Sequence, residues 1–134
     1  MLYQIIYVSK RNCSEEEITK ILDKSRENNQ KINVTGLLLY TKDTFIQCIE
    51  GEKDEVNTLY DKIRKDERHS NPILISYKPI KNRDFPSWNM GEKKINLEET
   101  DFMADMSGEE KIIFSNILSG KEETNAIDVI RKLV

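Results

Sequence analysis

The order in which two periodicities alternate along this chain leaves few folds open. Leu2-Tyr3-Gln4-Ile5-Ile6-Tyr7-Val8 reads as a strand, and its two-residue period puts Tyr3, Ile5 and Tyr7 on one face. Ser14-Glu15-Glu16-Glu17 has the form of a capping box, in which the Ser14 hydroxyl accepts from the Glu17 amide and Glu17 reaches back. Ile18, Ile21, Leu22 and Ser25 follow at helical spacing, and the helix should end near Asn28-Asn29. Residues 34–41 and 44–50 read as two strands joined by a tight turn at Lys42-Asp43. A second helix follows Gly51, with Val56, Leu59, Tyr60 and Ile63 on its apolar face, and Asp66-Glu67-Arg68-His69 closes it. Asn71-Pro72 breaks the chain before a fourth strand at 73–79, and the loop 81–87 leads to Trp88-Asn89-Met90, read as a short fifth strand. The class expected is α+β: a ferredoxin-like β-α-β-β-α-β core with an added strand and two helices on one sheet face.

That topology sets the first and third strands side by side at the sheet centre, and each carries a polar side chain in an apolar row. Gln47 lies between Phe45 and Ile49, and Tyr7 follows Ile5 on its own strand. A buried amide left unpaired costs about 1–3 kcal/mol. A tyrosine hydroxyl on the neighbouring strand is one partner, but a glutamine has two donors and two acceptor sites to fill. Something further should be bound there. The helix-covered face is the natural home of this pair, because the other face must satisfy Gln4, Cys48 and Glu50.

Charge and composition exclude several classes. With 21 Lys and Arg against 24 Asp and Glu, the net charge is −3, and no basic stripe interleaves with aromatics, so neither nucleic acid nor an anionic membrane is an expected partner. The first apolar run stops at Val8, too short for a signal peptide or a membrane span. Cys13 and Cys48 form no disulfide framework or metal spacing and suit a reducing, cytoplasmic location. His69 is the only histidine, which rules out a histidine-based catalytic or metal cluster. Beyond about residue 95 the character changes. Ser107-Gly108-Glu109-Glu110 signals a helix start, Ile112, Ile113 and Ile117 are helix-spaced up to Gly120, and Ala126, Ile127, Ile130 and Leu133 carry another amphipathic helix. Residues 1–95 are therefore expected to form the domain, with 96–134 a helical extension that caps it or builds an interface.

Several phrases occur in order: Ile5-Ile6-Tyr7-Val8-Ser9, Asn28-Asn29, Thr35-Gly36-Leu37-Leu38-Leu39-Tyr40, Phe45-Ile46-Gln47-Cys48-Ile49-Glu50-Gly51, Asp66-Glu67-Arg68-His69 and Phe85-Pro86-Ser87-Trp88-Asn89-Met90. Together they resemble the BLUF family of blue-light sensors that use flavin adenine dinucleotide, over residues 2 to about 93. The resemblance implies that a flavin ring lies between the two helices above the sheet, with FAD the cofactor and FMN or riboflavin the alternatives. It assigns Tyr7 as the electron and proton donor and Gln47 as the amide between Tyr7 and the flavin edge. It makes Asn29 the partner of the uracil-like edge, and Arg68, His69 and Asp66 contacts of the ribityl chain and phosphate. Trp88 and Met90 match a Trp-x-Met whose side chains pass the state of the glutamine to the surface. Ser25, on the apolar helix face, is a further flavin contact.

With no effector in the sequence, the resemblance implies signalling to a separate regulatory protein, from a homodimer or higher homo-oligomer, and no enzymatic activity. Two other readings compete: a light-insensitive flavin-binding or protein-interaction module on the same fold, and a small ferredoxin-like enzyme such as an acyl-phosphate hydrolase. The enzyme needs a phosphate cradle, yet the five glycines are dispersed and make no anion-binding loop.

Overall fold

The computed structural model describes residues 1–86, 90–94 and 112. The elements run β1 (Leu2–Arg11), α1 (Glu15–Lys31), β2 (Thr35–Tyr40), β3 (Thr44–Glu52), α2 (Lys53–Ile63), β4 (His69–Pro79) and β5 (Gly91–Lys94). One five-stranded sheet has the order β4-β1-β3-β2-β5, so β1 and β3 are neighbours near its centre. They pair antiparallel, as do β1 with β4 and β2 with β3, while β5 joins β2 in parallel.

Local chemistry sets the ends of these elements, and α1 runs on to Lys31, past the stop expected near Asn28-Asn29. The Ser14–Glu17 capping box is complete at the head of α1. At its other end Ile32 is the C-cap, and Asn33 adopts a left-handed conformation (φ 55°), a conformation asparagine tolerates better than most residues. Between β2 and β3 the Thr41 hydroxyl accepts from the amides of Asp43 and Thr44, which closes the turn. Gly36 lets β2 approach β3 closely, since a Cβ there would lie 2.0 Å from the Cys48 carbonyl oxygen.

Side chains alternate between two faces along every strand. Ile18 and Leu22 of α1 and Val56 of α2 pack with Ile5, Tyr7, Leu38, Phe45 and Ile49 on one of them. On the other face Ile6, Val8, Leu37, Leu39, Ile46 and Cys48 are also buried. Glu50, fully buried there, accepts from the Gln4 amide (2.9 Å) and from the backbone N–H groups of Asp84 (2.9 Å) and Phe85 (2.8 Å). Arg83 reinforces this latch by donating to the Thr35 hydroxyl and to the carbonyls of Glu50 and Asn33.

Three further boundaries depart from the sequence reading. The second helix ends at Ile63 with Arg64 as its C-cap, so Asp66 to Arg68 form the following turn and His69 opens β4. β4 consequently begins before Asn71-Pro72 rather than after it. Asn71 takes φ 52°, and a register shift against β1 between Val8 and Lys10 absorbs the irregularity as a bulge. Proline is tolerated there because β4 is an edge strand. The fifth strand is Gly91–Lys94, just past the segment expected, and Met90 immediately precedes it. Trp88 and Asn89 lie outside the described residues, as does the expected helical extension except Ile112, which is helical and 65% exposed.

Candidate functional site

The register of the two central strands sets Tyr7 directly opposite Gln47. The Tyr7 hydroxyl donates to the Gln47 side-chain carbonyl, and Gln47 Nε2 donates to the Met90 sulfur at 3.4 Å. Of the four hydrogen-bonding positions of a glutamine amide, two are thereby filled from within the described residues. One N–H and one lone pair remain for something else. Burial pushes the Tyr7 hydroxyl far above the ordinary phenol range, with the neighbouring Tyr60 and the Asp66 carboxylate adding to the effect. Tyr7 is therefore a hydrogen-bond donor at any physiological pH. Its ring packs 5.4 Å from that of Tyr60 and 6.0 Å from that of His69.

Above this pair, between α1 and α2, lies a cavity of about 220 Å³. Its walls are apolar: Ile21, Leu38, Phe45, Leu59 and Ile63. Tyr7 and Gln47 form part of its floor, while Ser25 and Asn29 of α1 line it from one side and Asp66 from the other. Lys24, Lys62 and Arg68 supply cationic groups to the same cleft. Asn29 is 1% exposed, and its backbone carbonyl accepts from Val34 while Ile32 takes the cap position. Its side chain is thus a cavity group and not a helix cap.

Arg68 grips Asp66 through both carboxylate oxygens, at 2.9 Å from Nε and 2.5 Å from an η nitrogen. This contact holds the Asp66 carboxyl below its usual range, so it faces the cavity as an anion. The Arg68 guanidinium is raised in turn by the same bond. No helix terminus is involved, since α2 ends three residues before Asp66. His69 is buried, with Nε2 donating to the Ile63 carbonyl (2.5 Å) and Nδ1 against the Ser9 hydroxyl (2.7 Å). With both nitrogens engaged by protein, the histidine offers the cavity its carbon edge.

Sequence reasoning did not single out Lys24, Lys62 or Arg26. Arg26 donates from Nε to the Met90 carbonyl at 2.9 Å. Each of the three lies on a hydrated stretch of helix where a cation is unremarkable, and no periodicity marks them. Among the described residues no cluster of three or more His, Cys, Asp or Glu side chains could hold a metal, and no helix is long and apolar enough to cross a membrane.

A narrow cleft with apolar walls and amide groups at its floor and side suits a flat heteroaromatic ring bearing an edge of donors and acceptors. The residues present therefore fit a flavin. Fold and cleft together define a small ring-binding module of the α+β class. Residues 2–91 match the BLUF family, the sensors of blue-light using FAD, and the chain belongs to that family.

Its relatives include the beta subunit of photoactivated adenylate cyclase from Euglena longa, 34% identical over 92 residues. That alignment takes in 66% of this chain but only 11% of the cyclase subunit. A bacterial light-regulated adenylyl cyclase superposes with a TM-score of 0.70 at 36% identity, over 98% of this chain and 36% of the other. BlrB, a BLUF protein in its dark state, also superposes with a TM-score of 0.70, at 30% identity over 83% of this chain and 89% of its own. The chain is thus a blue-light sensor domain of the flavin-binding kind, and in its cyclase relatives this domain is a small part of a larger protein.

Proposed function

We propose that this chain is an FAD-dependent blue-light photoreceptor in which Tyr7 and Gln47 carry the photochemistry and a separate protein receives the signal. When bound, the flavin supplies a light-activated electron acceptor. Tyr7 would supply both the electron and the phenolic proton that such an acceptor takes up. Gln47, which accepts from Tyr7 through its carbonyl oxygen and has a second N–H to offer, would relay the proton to the ring edge and back, so that with electron and proton returned to Tyr7 the net change would be the rearranged donor and acceptor ends of the Gln47 amide. Asn29 holds the uracil-like edge of the ring, Ser25 lies beside it, and the apolar walls exclude water from the proton path. Asp66 accepts from ribityl hydroxyls and Arg68 faces the phosphate, with His69 packing by its carbon edge. This last assignment favours FAD or FMN over riboflavin.

The observation that carries this reading is the Tyr7–Gln47 hydrogen bond at the cavity floor, with one N–H and one lone pair of the amide to spare among the described residues. The chain acts without an enzymatic step of its own, in the cytoplasm, as a homodimer or larger homo-oligomer. Residues 1–95 form the sensor, and 96–134 cover the sheet face that α1 and α2 leave open. Support for that division comes from Ile6, Val8, Leu37, Leu39, Ile46 and Cys48, which are buried although both described helices pack on the opposite face. Met90, touching Gln47, carries the change onward, and Trp88 belongs to the same output segment.

The test is a lit-minus-dark absorption spectrum of the purified protein, expected to be yellow with a small reversible red shift under blue light. Tyr7→Phe should retain flavin and lose the shift. A protein that neither carries nor takes up flavin overturns the sensor reading, and a full shift in Tyr7→Phe overturns the assignment of the phenol.

A further inference from the structure

Met90 is the only described residue whose sulfur touches the Gln47 amide, and a 3.4 Å N–H···S contact is too weak to hold a backbone segment in place. The Met90 side chain is itself buried in the core, at 2% exposed, but that packing leaves its main-chain carbonyl to be held separately. The segment leads into the four-residue β5, which pairs through Gly91 to Lys94 with β2 alone at the sheet edge. Arg26 of α1 supplies what is missing. Its Nε donates to the Met90 carbonyl at 2.9 Å, and one η nitrogen lies 3.6 Å from Glu92, two residues further on. The other η nitrogen faces Asp23 one turn earlier, at 3.7 Å. A planar guanidinium can bind a carbonyl and a carboxylate at once from fixed directions, which an ammonium cannot.

We infer that Arg26 is a positioning residue for the Gln47 site: its fork pins the Met90–Glu92 segment to α1 and so keeps the Met90 sulfur against the Gln47 amide. Neither Arg26 nor Glu92 lines the cavity. Arg26 follows Ser25 in sequence, so the helix that walls the cleft also clamps the start of β5. The clamp sets how easily Met90 leaves Gln47, and therefore how freely the amide rotates. The geometric half of this inference stands without any photochemistry; only its effect on the rotating amide rests on the function proposed above.

The experiment compares wild type, Arg26→Met and Arg26→Lys as purified, in the dark. Hydrogen exchange is read at residues 90–94, and the Met90 methyl resonance by NMR. Arg26→Met keeps the aliphatic stem and removes every donor. It should speed exchange at 90–94 by about tenfold, the weight of one charge-assisted hydrogen bond, and move and broaden the methyl signal. Arg26→Lys, able to reach the Met90 carbonyl or Glu92 but not both in the forked geometry, should give an intermediate value. Dark recovery of the absorption change should accelerate in the same order. Unchanged exchange and methyl signal in Arg26→Met would overturn the inference, as would an equal loss of protection across β1 and β3, which marks general destabilisation. Absence of the red shift in wild type, with the clamp effects present, would count against the photochemical reading and leave the positioning role standing.

Discussion

At the residue scale, one phenol sets the behaviour of the site at high pH. Burial raises the Tyr7 hydroxyl above its unfolded value of about 10, so both states keep the proton below that pH. Above it the unfolded chain ionises first, and stability falls as pH rises toward the folded value. Denaturant midpoints measured from pH 8 to 11 should therefore drop more steeply for wild type than for Tyr7→Phe. At neutral pH the variant itself should be less stable by about 1–3 kcal/mol, because Gln47 loses a buried donor. Asp66 works in the opposite sense. Its carboxyl is depressed by Arg68, so its contribution is present above the unfolded value of about 4 and is lost as pH falls through the folded one. The pair is partly exposed, which limits the effect to under about 1 kcal/mol; Asp66→Asn should flatten the acid limb by that amount. Tyr7 and Gln47 were legible in the sequence because polarity inside an apolar row is anomalous. Arg26 and Lys62 were not, because charge on a helix exterior is ordinary.

At the scale of elements, the connection between β4 and β5 depends on one carboxylate. Glu50 accepts two backbone amides of that connection and the Gln4 side chain from a fully buried position. Glu50→Ala should leave the Asp84 and Phe85 amides without this acceptor and Gln4 Nε2 with Asp84 alone, and cost about 3 kcal/mol or more in a urea titration, with faster exchange at Asp84 and Phe85. Glu50→Gln, which keeps one acceptor oxygen, should lose less. A Glu50→Ala midpoint equal to wild type would show that water replaces the latch at no cost. The sequence marked Glu50 as a polar group needing partners, yet those partners lie 34 and 35 residues away in an aperiodic loop that no pattern could place. The same limit explains Asn71-Pro72. As a dipeptide it reads as a breaker, and only pairing with β1 turns it into a bulge inside β4.

For the molecule as a whole, the order of elements was legible from periodicity alone, and with it the central pairing of β1 and β3. What covers the second sheet face was expected to be residues 96–134, and a truncation tests that directly. A chain ending at residue 95 should expose Ile6, Leu37, Leu39 and Ile46, bind a hydrophobic dye and self-associate, while the full chain stays dye-silent. A truncated protein that behaves like the full chain would assign the covering role elsewhere.

β3 sends Gln47 to one face and Glu50 to the other, three residues apart on a single strand. That arrangement fixes the smallest piece that could be transplanted into another protein. A graft carrying β1, β3 and both helices would bring the Tyr7–Gln47 pair, but without residues 83–85 it would carry a buried carboxylate stripped of its backbone donors. Residues 83–85 in turn lead to Met90, whose sulfur accepts from the Gln47 amide. The domain cannot be cut down to the Tyr7–Gln47 pair, because the strand that holds Gln47 is soldered through Glu50 to the segment that runs on to Met90.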